Sequence, residues 1–181
     1  KTIKEAEEEA LLNSNVLWGK KYVACGDSFT EGAYASKTEE TWSDKFQCYK
    51  TYPFWIANRN QMTLVNEAKS GSDFTNIEGA VNAFSVDRYQ AVPTDADYVT
   101  LMFGLNETSL TTEQIGTKTD NTNATLWGAY NIVFEHLITE MPYAKIGVII
   151  ADSWMPSTYA EAVKEICKYW GIPCLDLKGD S

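Results

Sequence analysis

Tyr22-Val23-Ala24-Cys25-Gly26-Asp27-Ser28-Phe29-Thr30-Glu31-Gly32 is the stretch whose reading decides the fold. It opens with a short apolar run and passes through a glycine into a polar turn that holds a serine. Runs of four to six apolar or β-branched residues bounded by turn signals read as buried strands. The pattern returns at 62–65 (MTLV), 98–103 (YVTLMF), 146–150 (IGVII) and 172–177 (IPCLDL). The segments between read as helices. Thr51 is placed to cap one that carries Phe54, Trp55 and Ile56, with Pro53 tolerated in its first turn. Residues 76–84 form a shorter candidate. Residues 123–141 form the longest, with Leu126, Tyr130, Val133, Phe134, Leu137 and Ile138 at the spacing of one apolar face. Ser157 is placed to cap the last, which Gly171 and Pro173 end. This alternation implies an α/β domain with a five-stranded parallel sheet covered on both faces.

Residues 4–12 (KEAEEEALL) precede the alternation and read as a solvated acidic helix. The expected division is therefore an N-terminal helical extension over 1–19 and one domain over 20–181. With 181 residues, 44% of them hydrophobic, the chain can bury one ordinary core. A formal charge of −10 argues against nucleic acid and against an anionic membrane surface as partners. No apolar run approaches the length of a bilayer span, so no membrane insertion is expected. Cys25, Cys48, Cys167 and Cys174 lack a CxxC pair, which indicates neither a zinc site nor a disulfide scaffold. Three of them fall in strand or helix patterns, where a free cysteine acts as a small core hydrophobe. The start at Lys1 fits either a removed signal peptide or a trimmed chain. An extracellular or cell-surface location is expected ahead of a cytoplasmic one.

Parallel sheets of this kind bind ligands beyond the C-terminal ends of their strands. The first such loop presents Ser28 between Gly26 and Gly32. The second holds Ser70-Gly71-Ser72, and the third Gly104-Leu105-Asn106-Glu107. Together they offer a hydroxyl, a backbone N–H and a side-chain amide, a set that suits acyl transfer with a stabilised oxyanion. The loop aromatics Tyr34 and Trp42 are candidates to stack on a sugar ring, whereas Tyr52 and Trp55 fall within a helix and read as core. Asp27 beside the serine, and Asp152 and Trp154 after the fourth strand, complete the candidate substrate contacts. His136, the only histidine, falls on the helix side away from the apolar positions and reads as a solvated surface residue.

The block GDSFTEG resembles the nucleophile block of the GDSL/SGNH hydrolases; Ser70-Gly71 resembles their second block and GLNE their third, usually written GxND. The likeness runs from about Tyr22 to the end of the chain. It implies a flavodoxin-like three-layer α/β/α fold and a cofactor-free, metal-free serine esterase. Ser28 would be the nucleophile. The Ser28 and Gly71 backbone N–H groups and the Asn106 amide would form the oxyanion hole. Glu107 stands where the family has Asp. The family's final block, an Asp three residues before the catalytic His, is not found before Ser181 and is expected beyond it. A further Gly-Asp-Ser at 179–181 lacks the downstream Thr and Gly and is assigned no catalysis. The expected substrate is a small-molecule or glycan ester, with a short acyl group, such as acetyl, on a carbohydrate or other polar alcohol. The alternatives are a lysophospholipase or thioesterase, and an inactive glycan-binding domain of the same fold. A nucleotide binder is disfavoured, since Asp27 and Glu31 would repel phosphate and neither GxGxxG nor a P-loop occurs. The absence of GxSxG argues against an α/β-hydrolase.

Overall fold

Along β1 (Lys21–Gly26) successive side chains enter two different cores, as a strand's period of two requires when both faces are covered. Val23 and Cys25 join a large cluster, while Tyr22 and Ala24 join a smaller one with Phe54, Ala57 and Leu64. The structure, a computed structural model, describes residues 2–32, 36–107, 110–151 and 156–177. Around β1 the chain orders α1 (Ile3–Ser14) before it and α2 (Ser28–Glu31) after it, then a two-stranded hairpin, β2 (Trp42–Ser43) and β3 (Cys48–Tyr49). There follow α3 (Tyr52–Arg59), β4 (Thr63–Asn66), a 3-10 turn over Arg88–Ala91, and β5 (Tyr98–Met102). The remainder comprises α4 (Thr112–Ile115), α5 (Leu126–Glu140), β6 (Lys145–Ile150), α6 (Ser157–Trp170) and β7 (Cys174–Asp176).

The main sheet has the order β4-β1-β5-β6-β7, and every neighbouring pair is parallel. This is an α/β fold with the doubly wound order, second-first-third-fourth-fifth. The chain leaves β1 toward one edge for β4 and then returns to its other side for β5. The direction of winding therefore reverses at β1, and Ser28 lies just past its C-terminal end.

Five expected strands appear within two residues of their sequence bounds. Several local expectations are corrected. Residues 76–84 form turns instead of a helix, because Asp73 organises them: its carboxylate accepts the Val81 N–H (2.6 Å) and its carbonyl the Phe84 N–H (2.9 Å). Thr51 occupies the cap position of α3 but makes no side-chain cap; its hydroxyl donates instead to Thr30 O (2.7 Å). Pro156, with Ser157 as the first helical residue, precedes α6. The sheet faces are unequally covered: α5 and α6 feed the large cluster, while α3 meets β4, and Leu175 and Leu177 at β7 remain exposed. On α5, Ile138 is also exposed, and in α3 Trp55 is 59% exposed rather than core. No helix among the described residues is long and apolar enough to cross a membrane.

Candidate active site

Asp27 and Ser28 begin the site because β1 delivers them to the sheet's rim. Asp27 has extended backbone and caps α2, accepting the Phe29 N–H at 3.0 Å; Gly32 closes the helix, donating to Ser28 O at 2.8 Å. The bend is tight enough that only glycine fits at 26. A Cβ there would lie 2.0 Å from Thr30 Oγ1 and 2.8 Å from Met102 O. Ser28 is thereby fixed as the first helical residue, where a helix leaves backbone N–H groups without intrahelical acceptors.

The β4 loop is tied to the β1 loop by two contacts. Lys69 N–H donates to Gly26 O (3.0 Å), and Ser70 N–H donates to Glu31 Oε2 (2.6 Å). Gly71 then turns with φ +70°, in the left-handed region that favours glycine. The β5 loop is tied to the β4 loop in turn. Asn106 Nδ2 donates to Ser72 O (2.9 Å), which fixes the amide plane and leaves its second hydrogen for a ligand. Glu107 Oε1 accepts from Phe74 N–H (2.5 Å) and Thr75 N–H (3.3 Å). The longer glutamate thus reaches across to the neighbouring loop.

This rim is unusually polar for a buried region. Apart from Ser43, every buried polar or charged side chain among the described residues lies in these three loops: Asp27, Ser28, Thr30, Ser72, Asp73, Thr75, Ser85 and Glu107. Burial pushes the carboxyls up. Desolvation raises Asp27, against the stabilising N–H groups of Phe29 and Leu105, and it raises Asp73 as well. Glu107, 6% exposed, is pushed up to about 7, chiefly by burial, with the Asp73 charge adding to it and the Phe74 N–H opposing it. Buried charge of this kind is costly unless paired and marks functional sites.

Two cavities open on the rim, each of about 380 Å³. One has Ser28, Phe29, Gly32, Tyr49 and Thr51 in its wall. The other has Gly71, Asn106, Asp73, Thr75, Glu78 and Glu107. Ser28 therefore lines one cavity, and Gly71 and Asn106 line the other. Trp42 does not share either cavity. It lies with Glu31 and Tyr49 on a third, of about 260 Å³, where Lys37 Nζ sits 3.7 Å from the ring centroid.

Asp27 must be corrected as a substrate contact. It is fully buried, and its Oδ1 is committed to the helix cap. Tyr34, Asp152 and Trp154 lie outside the described residues. His136 is half-buried rather than solvated, packed edge-on to Tyr89 with ring centroids 4.9 Å apart, on a helix that covers the sheet. Sequence reasoning missed Arg88. Its guanidinium donates to Glu67 O (2.6 Å), Ser72 Oγ (2.5 Å) and Asn82 O (3.3 Å), bracing the β4 loop from behind. Nothing local marks it, since it sits in a 3-10 turn and acts through residues six to twenty-one positions away.

Residues 24–181 match the model of a family described as GDSL-like lipase/acylhydrolase. A search of curated proteins finds no match. Among solved structures, a protein from Lactobacillus plantarum is similar at TM-score 0.69 and 24% identity, over 90% of this chain and 79% of that one. A family two carbohydrate esterase from Clostridium thermocellum, in complex with cellohexaose, gives TM-score 0.57 and 18% identity over 88% of this chain. The chain spans 54% of that esterase's length. Phospholipase A1 from Streptomyces albidoflavus gives TM-score 0.57 and 16% identity, over 86% of this chain and 78% of that one. At such identities the likeness is one of fold.

Proposed function

The chain belongs to the GDSL-like lipase/acylhydrolase family, and from that membership we propose that it is a serine esterase removing a short acyl group from a carbohydrate or other polar alcohol. The observation that supports the reading is the cross-stitching of three adjacent strand-end loops, the ones that carry Ser28, Gly71 and Asn106.

In this reading Ser28 Oγ attacks the acyl carbon and the carbonyl π electrons move to oxygen. The Ser28 and Gly71 N–H groups and the second Asn106 amide hydrogen receive that charge. Collapse of the adduct expels the alcohol, which takes a proton, and leaves an acyl-Ser28. Water then attacks the same carbon, releases the carboxylic acid and restores the hydroxyl. A base must accept the Ser28 proton. His136, packed edge-on against Tyr89 on a helix that covers the sheet, is not placed to do so. Phe29 and Tyr49 give the Ser28 cavity an apolar wall for the acyl group. The neighbouring Trp42 and Tyr49, edge-to-face at 5.1 Å, add an aromatic pair beside it.

The test is Ser28→Ala in the native protein, assayed on acetate esters. Turnover should fall by about three orders of magnitude or more, with little change in thermal stability. Near-wild-type turnover would remove the assignment. Among p-nitrophenyl esters, rates should be highest for acetyl; a preference for long chains would instead favour a lipid substrate.

A further inference from the structure

We propose that the cavity bounded by Gly71 and Asn106 is the subsite for the polar arm of the ester, and that it selects arms carrying a cationic or hydroxylated group over anionic ones. The proposal rests on the serine esterase reading and gives that site a substrate class.

Gly71 and Asn106, the proposed oxyanion donors, line the cavity, so a group bound in it lies on the carbonyl side of the ester. Its other polar walls are Asp73, Glu78, Thr75 and Glu107, and no basic residue lines it. The nearby cations are engaged elsewhere. Arg88 is committed to Glu67 O and Ser72 Oγ, and Lys69 Nζ donates to Asn82 Oδ1 at 2.8 Å. Carboxylates in a cleft with low-dielectric walls concentrate their field within it, which attracts cations and repels anions.

Asp73 alone would not make a ligand site, since its carboxylate serves the Val81 N–H. Glu107 supplies the independent observation. It is 94% buried by its 6% exposure, it lines the cavity, and its Oε2 has no hydrogen-bond partner among the described residues. Buried polar atoms are almost always paired, so above pH 7, where Glu107 is ionised, an unpartnered carboxylate oxygen on a residue that lines a cavity calls for a donor. A hydroxyl or an ammonium group can provide one, and a phosphate or sulfonate cannot. The Ser28 cavity, with Phe29 and Tyr49, is the less polar of the two and receives the acyl arm. The two arms of the ester are thus sorted by chemistry.

Three acetate esters of matched size, assayed just above pH 7, test this: 2-(dimethylamino)ethyl acetate (cationic, carrying an N–H), 3-methylbutyl acetate (neutral) and the acetate of 2-hydroxyethanesulfonate (anionic). For the wild type at low salt, kcat/KM for the cationic ester should exceed that for the anionic one by about tenfold, and salt should compress the ratio. Glu78 is exposed on the cavity wall, so its replacement spares the fold. Glu78→Lys should reduce the cationic-to-anionic ratio by about threefold or more, with Glu78→Gln intermediate. A wild type that prefers the anionic ester, or a ratio that Glu78→Lys leaves unchanged, overturns the subsite. The underlying reading fails separately, if Ser28→Ala still hydrolyses the esters. Hydrolysis of none of the three by the wild type would defeat both.

Discussion

The rim loops after β1, β4 and β5 and the layer formed by α5 and α6 are built on opposite principles. The layer is apolar: Leu126, Ala129, Val133, Phe134, Leu137, Val163 and Ile166 bury against the sheet, and Phe74 stacks on Tyr130 at 4.0 Å. Such burial is favourable in itself, at roughly 1.5–3 kcal/mol for each large side chain. The rim instead buries carboxylates and hydroxyls and leaves Asp27 Oδ2, Ser85 Oγ and Glu107 Oε2 without partners among the described residues. That arrangement costs stability locally and is tolerated because the apolar layer supplies an excess. The difference locates function: substitutions in the rim should move catalysis, and solvent-side changes in the layer should not.

Asn106→Ala should have the largest effect within this comparison. It removes an oxyanion donor and the contact to Ser72 O, so turnover should drop by about two to three orders of magnitude. Steady-state kinetics on p-nitrophenyl acetate measures it, and a loss confined to KM would argue for substrate binding alone.

Glu107→Gln sharpens the energetic side. Burial lifts this carboxyl from 4.5 to about 7. Between those values the folded state holds the proton that the unfolded state releases. Stability is therefore fully present below pH 4.5 and declines as pH rises through 7. Asp27 and Asp73, also raised, act in the same sense. The glutamine keeps an acceptor for the Phe74 and Thr75 N–H groups but no charge. Its denaturation midpoint should fall less between pH 5 and 8 than the wild type's, by an amount equivalent to at most about 3 kcal/mol. Parallel curves for the two proteins would show that Glu107 is not buried as an acid.

His136→Ala gives the smallest effect and tests the layer. The ring packs on Tyr89 away from the rim, so hydrolysis should remain within about twofold of wild type. A loss comparable with that of Asn106→Ala would make the imidazole part of the catalytic apparatus.

The sequence makes the strands and the glycines legible because both follow from local constraint. A buried parallel strand must be a short apolar run, and the bend at Gly26 admits no side chain. The loop positions of Ser28, Gly71 and Asn106 are readable for the same reason, two, five and four residues past the ends of β1, β4 and β5. What could not be read is held by contacts distant in sequence. Residues 76–84 look helical until Asp73 captures Val81 and Phe84. Arg88 reaches Glu67 from twenty-one positions away. Asp27 looks like an exposed acid, but the β5 loop covers it. Trp42 is a loop aromatic as expected, yet the hairpin turns it onto a cavity separate from that of Ser28.

Reaction with a fluorophosphonate, followed by proteolysis and peptide mass mapping, addresses the central claim most directly, because the reagent forms a stable adduct only with a serine activated as a nucleophile and held beside oxyanion donors. One phosphonyl group per chain on the peptide carrying Ser28, lost in Ser28→Ala and slowed in Asn106→Ala, is the predicted result. A label on any other residue, or an unlabelled Ser28 in protein that still hydrolyses acetate esters, would contradict it.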